Sequence, residues 1–225
     1  DLRPPKPLPA QGFPRRRAGA CVRTGGNWMK IEALDLPGLT LITPARHGDH
    51  RGWFRETWNA GRMAEAGLDF AFCQDNHSMS AQPGTLRGLH YQAPPSAQTK
   101  LVRCTKGAIW DVAADVRVGS PTYGQWRGVR LDAETGAQLL VPRGFLHGFL
   151  TLTPDAEVQY KVDGWYDAQA DGGVAWDDPT LAIDWPLAEA GVSAPVLSGK
   201  DAAQPKLADW ASPFVFGGDG EGDPA

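Results

Sequence analysis

The chain has 225 residues, 42% of them hydrophobic, which is enough apolar material for a full core and fits one domain with tails. Its 22 Lys and Arg against 26 Asp and Glu give a net charge of −4, which excludes the one-sided positive charge of backbone-driven nucleic-acid binding but leaves room for a local basic cluster serving one anionic small molecule. Three cysteines without C-x-x-C spacing exclude a disulfide framework and a zinc ribbon, and no run approaches the roughly 18 apolar residues of a membrane span, so a soluble protein in a reducing, cytoplasmic setting is expected.

In chain order, residues 1–28 ("DLRPPKPLPAQGFPRRRAGACVRTGGNW") are rich in Pro, Gly and Arg and lack periodicity. No apolar segment follows Arg15–Arg17, so the stretch reads as a disordered extension and not as a signal peptide. A single domain is expected over 29–212 and a loose tail over 213–225, which ends in "FGGDGEGDPA". Between Leu39 and Trp176 the chain is a series of short apolar or alternating runs punctuated by Gly, Pro, Asp and Asn, among them "LTLITPARH", "TLRGLHYQ", "AQLLVPRGFLHGFLTLT" and "AEVQYKVDGWY". Such spacing predicts an all-β, antiparallel two-sheet jelly roll. Helix signals are few: "NAGRMAEAGLDF" with Asn59 as cap, and one short turn in "DPTLAIDWP".

Several of these runs carry residues that an ordinary core strand has no use for. "TLRGLHYQ" holds Arg87 and His90, three apart, which a regular strand would point to opposite faces; Gly88 between them is a place for a bulge that re-aims one of them. From the strand alone His90 is open to three readings: a satisfied core histidine, a metal ligand or a base. In "AQTKLVRC" alternation puts Lys100 on the face of Val102 and Cys104, where an ammonium either reaches solvent at the strand end or has a task inside. In "AEVQYKV" Tyr160 shares a face with Val158 and Val162 and points inward, as a structural hydrogen-bonder or a proton donor. The spacing P-x-G-x-x-H in "VPRGFLHGF" is similar to the second motif of the cupin superfamily, whose turn sends a histidine, here His147, into the barrel. The five histidines, His47, His50, His77, His90 and His147, contain no H-x-H pair, so a transition-metal site is disfavoured.

Taken in order, "GDHRGWFRE", "QDNHS", "LRGLHYQ", "KLVRC", "SPTYGQW", "VPRGFLHGFLTL", "YK", "AWDDPTLAIDWP" and "LSGKDA" closely resemble the dTDP-4-dehydrorhamnose 3,5-epimerase family, over roughly Met29 to Lys206. The resemblance implies a metal-free, cofactor-free cupin jelly roll, a homodimer with exchanged strands, and a dTDP-4-keto-6-deoxy sugar nucleotide as substrate. By its motifs His90 is the catalytic base, Asp201 its carboxylate partner, Tyr160 the general acid and Lys100 the oxyanion stabiliser. The substrate-binding positions fall on Arg51, Phe54, Glu56, Gln74, Asn76, Arg87, His147 and Lys200. Tyr166 is retained behind Trp165, which stands where many relatives have tyrosine; Asp171 stands where they often have glutamate; and the loop before Lys200 is a few residues longer.

The chemistry matches those residue types. The carbons at C3 and C5 flank the C4 ketone, so losing either proton gives an enolate; imidazole is a suitable base near neutral pH, and an ammonium stabilises charge that develops only on the way to the enolate. Arg51 and Arg87 suit a diphosphate, and Phe54, Gln74 and Asn76 suit a thymine ring. The expected reaction converts dTDP-4-dehydro-6-deoxy-D-glucose to dTDP-4-dehydro-L-rhamnose. A single-centre 3- or 5-epimerase, a metal-dependent cupin oxygenase and a non-catalytic sugar-nucleotide binding module are the competing readings.

Overall fold

The computed structural model describes residues 22–24 and 28–217. In chain order the strands are β1 (Val22–Thr24), β2 (Met29–Ala33), β3 (Thr40–Pro44), β4 (His47–Asp49), β5 (Gly52–Phe54), β6 (Gln74–Ser80), β7 (Leu86–Gln92), β8 (Lys100–Lys106), β9 (Ala108–Asp115), β10 (Trp126–Asp132), β11 (Gln138–Val141), β12 (Phe145–Thr151), β13 (Ala156–Val162) and β14 (Asp171–Gly173). Two short helices, α1 (Ala60–Glu65) and α2 (Gly199–Ala202), accompany them.

A seven-stranded sheet runs in the order β1-β2-β3-β11-β8-β13-β6, a five-stranded sheet in the order β10-β9-β12-β7-β14, and β4–β5 form a separate hairpin. Every strand pair in these sheets is antiparallel. The two large sheets face each other as a jelly roll. Their shared interior is filled by Val102, Cys104 and Val158 from one sheet and by Ile109, Ala113, Phe145 and Phe149 from the other. Alternation drives this: Val102 and Cys104 point in, while Leu101 points out onto Met29, Ile31, Ile42 and Met63, the cluster under α1.

β12 is buried along its whole length, because the five-stranded sheet has a second covered face. There Leu86, Leu89, Leu146 and Leu150 meet Leu181, Trp185, Leu207 and Phe214 from the chain beyond β14. That covering segment is nearly free of regular elements. "DPTLAIDWP" makes the expected turn, with Asp178 Oδ1 accepting from the amides of Thr180 and Leu181 at 2.9 Å each. The Asn59 cap is present, its side chain accepting from the amide of Arg62, but the helix stops at Glu65 and "LDF" continues as a loop packed under the sheet through Leu68, Phe70 and Phe72.

Both ends of the chain differ from the expected boundaries. Within the predicted extension over 1–28, Val22–Thr24 pair with β2 and Trp28 packs against the cluster under α1; the rest of that stretch lies outside the described residues. The predicted tail begins later than residue 213. Phe214 is buried in the core, Val215 bridges Val118, and the carbonyl of Val118 accepts from the amide of Phe216, so the chain stays docked to 217; residues 218–225 lie outside the described residues.

Candidate active site

A cleft of about 270 Å³ opens between the two sheets, lined by Ser78, Arg87, His90, Lys100, His147, Phe149, Tyr160, Ser198, Lys200 and Asp201. One wall is the five-stranded sheet, where His90 on β7 lies directly opposite His147 on β12. The other wall is the seven-stranded sheet, which presents Lys100 from β8 and Tyr160 from β13.

The bulge expected at Gly88 is what brings Arg87 and His90 onto one face. Between the pairs His147 with His90 and Phe149 with Arg87, β12 advances two residues while β7 advances three. Gly88 takes up the extra residue at φ 125°, and a Cβ there would meet Gly148 Cα at 2.6 Å and the carbonyl oxygen of His147 at 2.8 Å. Only glycine fits that backbone and that approach.

His90 Nε2 donates to Asp201 Oδ1 at 2.6 Å, which leaves Nδ1 toward the cleft as the basic nitrogen. Asp201 is itself fixed: it is 5% exposed, its Oδ2 accepts from Ser198 Oγ at 2.7 Å, and its amide donates back to Ser198 Oγ at 3.1 Å. Ser198 thus caps α2 and aims the carboxylate at once. Burial pushes the His90 pKa below the ordinary histidine value; Asp201 opposes this, while the charges of Lys100 and Lys200 add to it. His90 is therefore neutral near pH 7 and able to accept a proton.

The Lys100 ammonium makes no hydrogen bond or ion pair within the protein among the described residues. Burial draws its pKa down to about 8, against the opposing charges of Asp171 and Asp111. A half-buried ammonium without a side-chain partner, facing the cleft, is poised for charge that develops on a ligand. Tyr160 has its pKa raised by burial, with Arg87 opposing and Asp171 and Tyr166 assisting, so its phenol keeps its proton across the working pH range.

Of the other predicted residues, Arg87 lines the cleft and donates to Ser80 Oγ and the carbonyl of Met79 at 3.2 Å each. Lys200 and Tyr166 are joined by Asp171, whose Oδ2 accepts from Lys200 Nζ and from the Tyr166 hydroxyl. Gln74 and Asn76 are hydrogen-bonded to each other at 2.9 Å on β6, next to Ser78, and Asn76 stands opposite Tyr160. Of these, Gln74, Asn76, Tyr166 and Asp171 do not line the cleft, and three further predicted residues are also absent from it. Arg51 is ion-paired to Asp49 within its own hairpin, Phe54 is 67% exposed, and Glu56 is ion-paired to Arg62. Ser78, Phe149, Ser198 and Asp111 were not anticipated from the sequence. Ser198 had a signal, the S-x-x-D spacing of a capping residue before "GKDA"; Asp111 had a weaker one, a lone acid inside the apolar run "AIWDVAA".

Among the described residues no group of three or more His, Cys, Asp or Glu is arranged to hold a metal ion, and no helix is long and apolar enough to cross a membrane. Residues 33–209 match the family model described as dTDP-4-dehydrorhamnose 3,5-epimerase. The chain belongs to this family of isomerases. A dTDP-4-dehydrorhamnose 3,5-epimerase of Sinorhizobium fredii is 49% identical over 192 residues, 84% of this chain and 94% of the relative. The crystal structure of the Bacillus anthracis dTDP-4-dehydrorhamnose 3,5-epimerase with TDP and PPi bound is 48% identical, with a TM-score of 0.76 over 80% of this chain and 99% of that one. The dTDP-6-deoxy-D-glucose-3,5-epimerase of Legionella pneumophila, in complex with dTDP-4-keto-L-rhamnose, is 41% identical, with a TM-score of 0.78 over 83% of this chain and 97% of that one. The jelly roll is thus the family's cupin-type fold.

Proposed function

We propose that this epimerase converts dTDP-4-dehydro-6-deoxy-D-glucose to dTDP-4-dehydro-L-rhamnose, inverting C3 and C5 without a cofactor. The observation that carries the reading is the division of the cleft: a neutral imidazole backed by a carboxylate on one wall, an ammonium and a protonated phenol on the other. His90 Nδ1 takes the proton from the carbon beside the C4 ketone. The bonding pair moves onto the C4 oxygen, where Lys100 holds the enolate. Tyr160 then delivers its own proton to the same carbon from the opposite side, and both residues exchange with solvent to reset. A pure binding module has no need of a base and an acid on facing walls.

The working unit in this reading is a cytoplasmic homodimer in which the β4–β5 arm of one copy brings Arg51, Phe54 and Glu56 to the cleft of the other. Its support is that those side chains point away from the cleft of their own chain, with Phe54 left largely uncovered. Arg87 and Lys200 bind the diphosphate, with Arg51 from the partner, and Gln74, Asn76 and Tyr166 meet the thymine. Cys73 and Cys104 are free thiols, in keeping with a reducing compartment. Incubation with dTDP-4-dehydro-6-deoxy-D-glucose in deuterated water tests the reaction: label is expected at both C3 and C5, label at one carbon would mark a single-centre epimerase, and label at neither would refute the proposal.

A further inference from the structure

A second imidazole–carboxylate pair stands at the cleft wall, with His147 lining the cleft and Asp111 buried outside its lining. His147 Nε2 lies 2.9 Å from Oδ1 of Asp111 on the neighbouring strand β9. Asp111 is fully buried, and its Oδ2 has no hydrogen-bond partner among the described residues. A buried carboxylate with one oxygen unpaired is costly, and a stabilising role alone would be met as well by an apolar residue in this apolar strand. What offsets it is the surrounding charge: the nearby ammonium of Lys100, whose proton Asp111 helps to retain.

We infer that Asp111 is a positioning residue of the reaction, acting through His147 and Lys100. By holding Nε2–H of His147 it turns Nδ1 of that ring into the cleft, as Asp201 does for His90. Because His147 and His90 are directly opposed on adjacent antiparallel strands, their Cβ atoms are roughly 5 Å apart. The group that His147 Nδ1 meets is therefore a polar substituent within one sugar ring of the carbon that His90 deprotonates. The inference deepens the proposed function and rests on it for the identity of the sugar, but the ring orientation does not depend on the substrate.

The charged and titratable groups facing Lys100 are Asp171 from β14, Asp111 from β9 and Lys200 from α2, with His90 across the cleft. Asp111→Asn removes one of the two anions. Its amide also donates to Nε2, which forces the ring proton to Nδ1 and turns an acceptor in the cleft into a donor. Two readouts follow. In the wild-type protein, nitrogen-15 NMR of the histidine rings is expected to find the proton of neutral His147 on Nε2 and none on Nδ1. In Asp111→Asn the proton moves to Nδ1, kcat/KM falls about tenfold or more, the scale of a lost charge-assisted hydrogen bond, and the alkaline limb of kcat shifts to lower pH.

A bare Nε2 on wild-type His147 would overturn the inference even if Asp111→Asn fails to fold. So would a folded Asp111→Asn protein that loses activity with its alkaline limb and ring tautomer unchanged, since that is the behaviour of a merely structural residue. The ring measurement needs no turnover, so a wrong sugar nucleotide leaves it intact and is caught separately by the deuterium experiment.

Discussion

His90 and Lys100 are tuned in the directions that their proposed tasks require, and the signs can be tested. Catalysis needs His90 neutral and Lys100 charged. The rate therefore rises as pH climbs through a His90 value set below 6.5 by burial, and falls as pH passes about 8, where Lys100 loses its proton. A bell-shaped profile with those limbs is the expected outcome of steady-state kinetics. Asp201→Asn removes the influence that opposes burial, so the acidic limb should move to still lower pH while kcat falls by about two orders of magnitude or more, as the base loses its orienting partner. Lys100 also carries a cost in the empty protein. Its folded value of about 8 lies below the unfolded 10.5, so between those values the unfolded chain binds more protons and stability rises with pH. The gain is at most about 1.4 kcal/mol per pH unit. Lys100→Met should raise the melting temperature at pH 7 while abolishing turnover; a lower melting temperature would show that the ammonium is structurally paired. At this scale the sequence was informative where alternation applies. Val102 and Cys104 fix the direction of Lys100, and Val158 and Val162 that of Tyr160. It said little of Asp111, because a lone acid in a buried strand looks the same whether or not it faces a histidine on the next strand.

Among the elements, β7 departs from regular geometry for the sake of the site. Its extra residue at Gly88 lets Arg87 and His90, three apart, share a face, while Leu86 and Leu89 face the opposite core. Gly88→Ala would place a Cβ 2.6 Å from Gly148 Cα, against backbone that cannot yield. The expected cost is about 2–4 kcal/mol of stability, read by urea denaturation, with activity lost in the folded fraction as His90 is re-aimed. A Gly88→Ala protein of wild-type stability would mean that the strand can return to regular pairing. The glycine lying between Arg87 and His90 was enough to suggest this bulge. α2 was not legible as a helix, since four residues carry no periodicity; only the S-x-x-D cap marks it, and that cap exists to hold Asp201. The long cover after β14 was equally hard to read, because it buries Leu181, Trp185 and Leu207 through turns that have no period at all.

For the whole molecule, two sheets supply opposite walls, and the β4–β5 hairpin lies outside both. The family resemblance named Arg51, Phe54 and Glu56 as substrate-binding, and a single chain leaves all three away from its cleft. Dimer exchange makes a sharp prediction. Chains with Arg51→Ala and Phe54→Ala, and chains with His90→Asn, should each be inactive alone. Mixed under conditions that reshuffle subunits, they should regain activity through the site built from one intact cleft and one intact arm. No regain in a mixture verified as heterodimeric would show that the arm serves its own chain. Removal of residues 1–28 takes away β1, an edge strand, and Trp28 from the cluster under α1, but none of the residues lining the cleft, so turnover should be unchanged when measured on the truncated chain.

The division of labour between the walls is tested most directly by separating proton removal from proton return. In deuterated water with dTDP-4-dehydro-6-deoxy-D-glucose, Tyr160→Phe should still wash solvent deuterium into the substrate through His90 while forming little inverted product, and His90→Asn should do neither. Exchange by His90→Asn, or inversion at the wild-type rate by Tyr160→Phe, would contradict a base and an acid on opposite sides of the sugar.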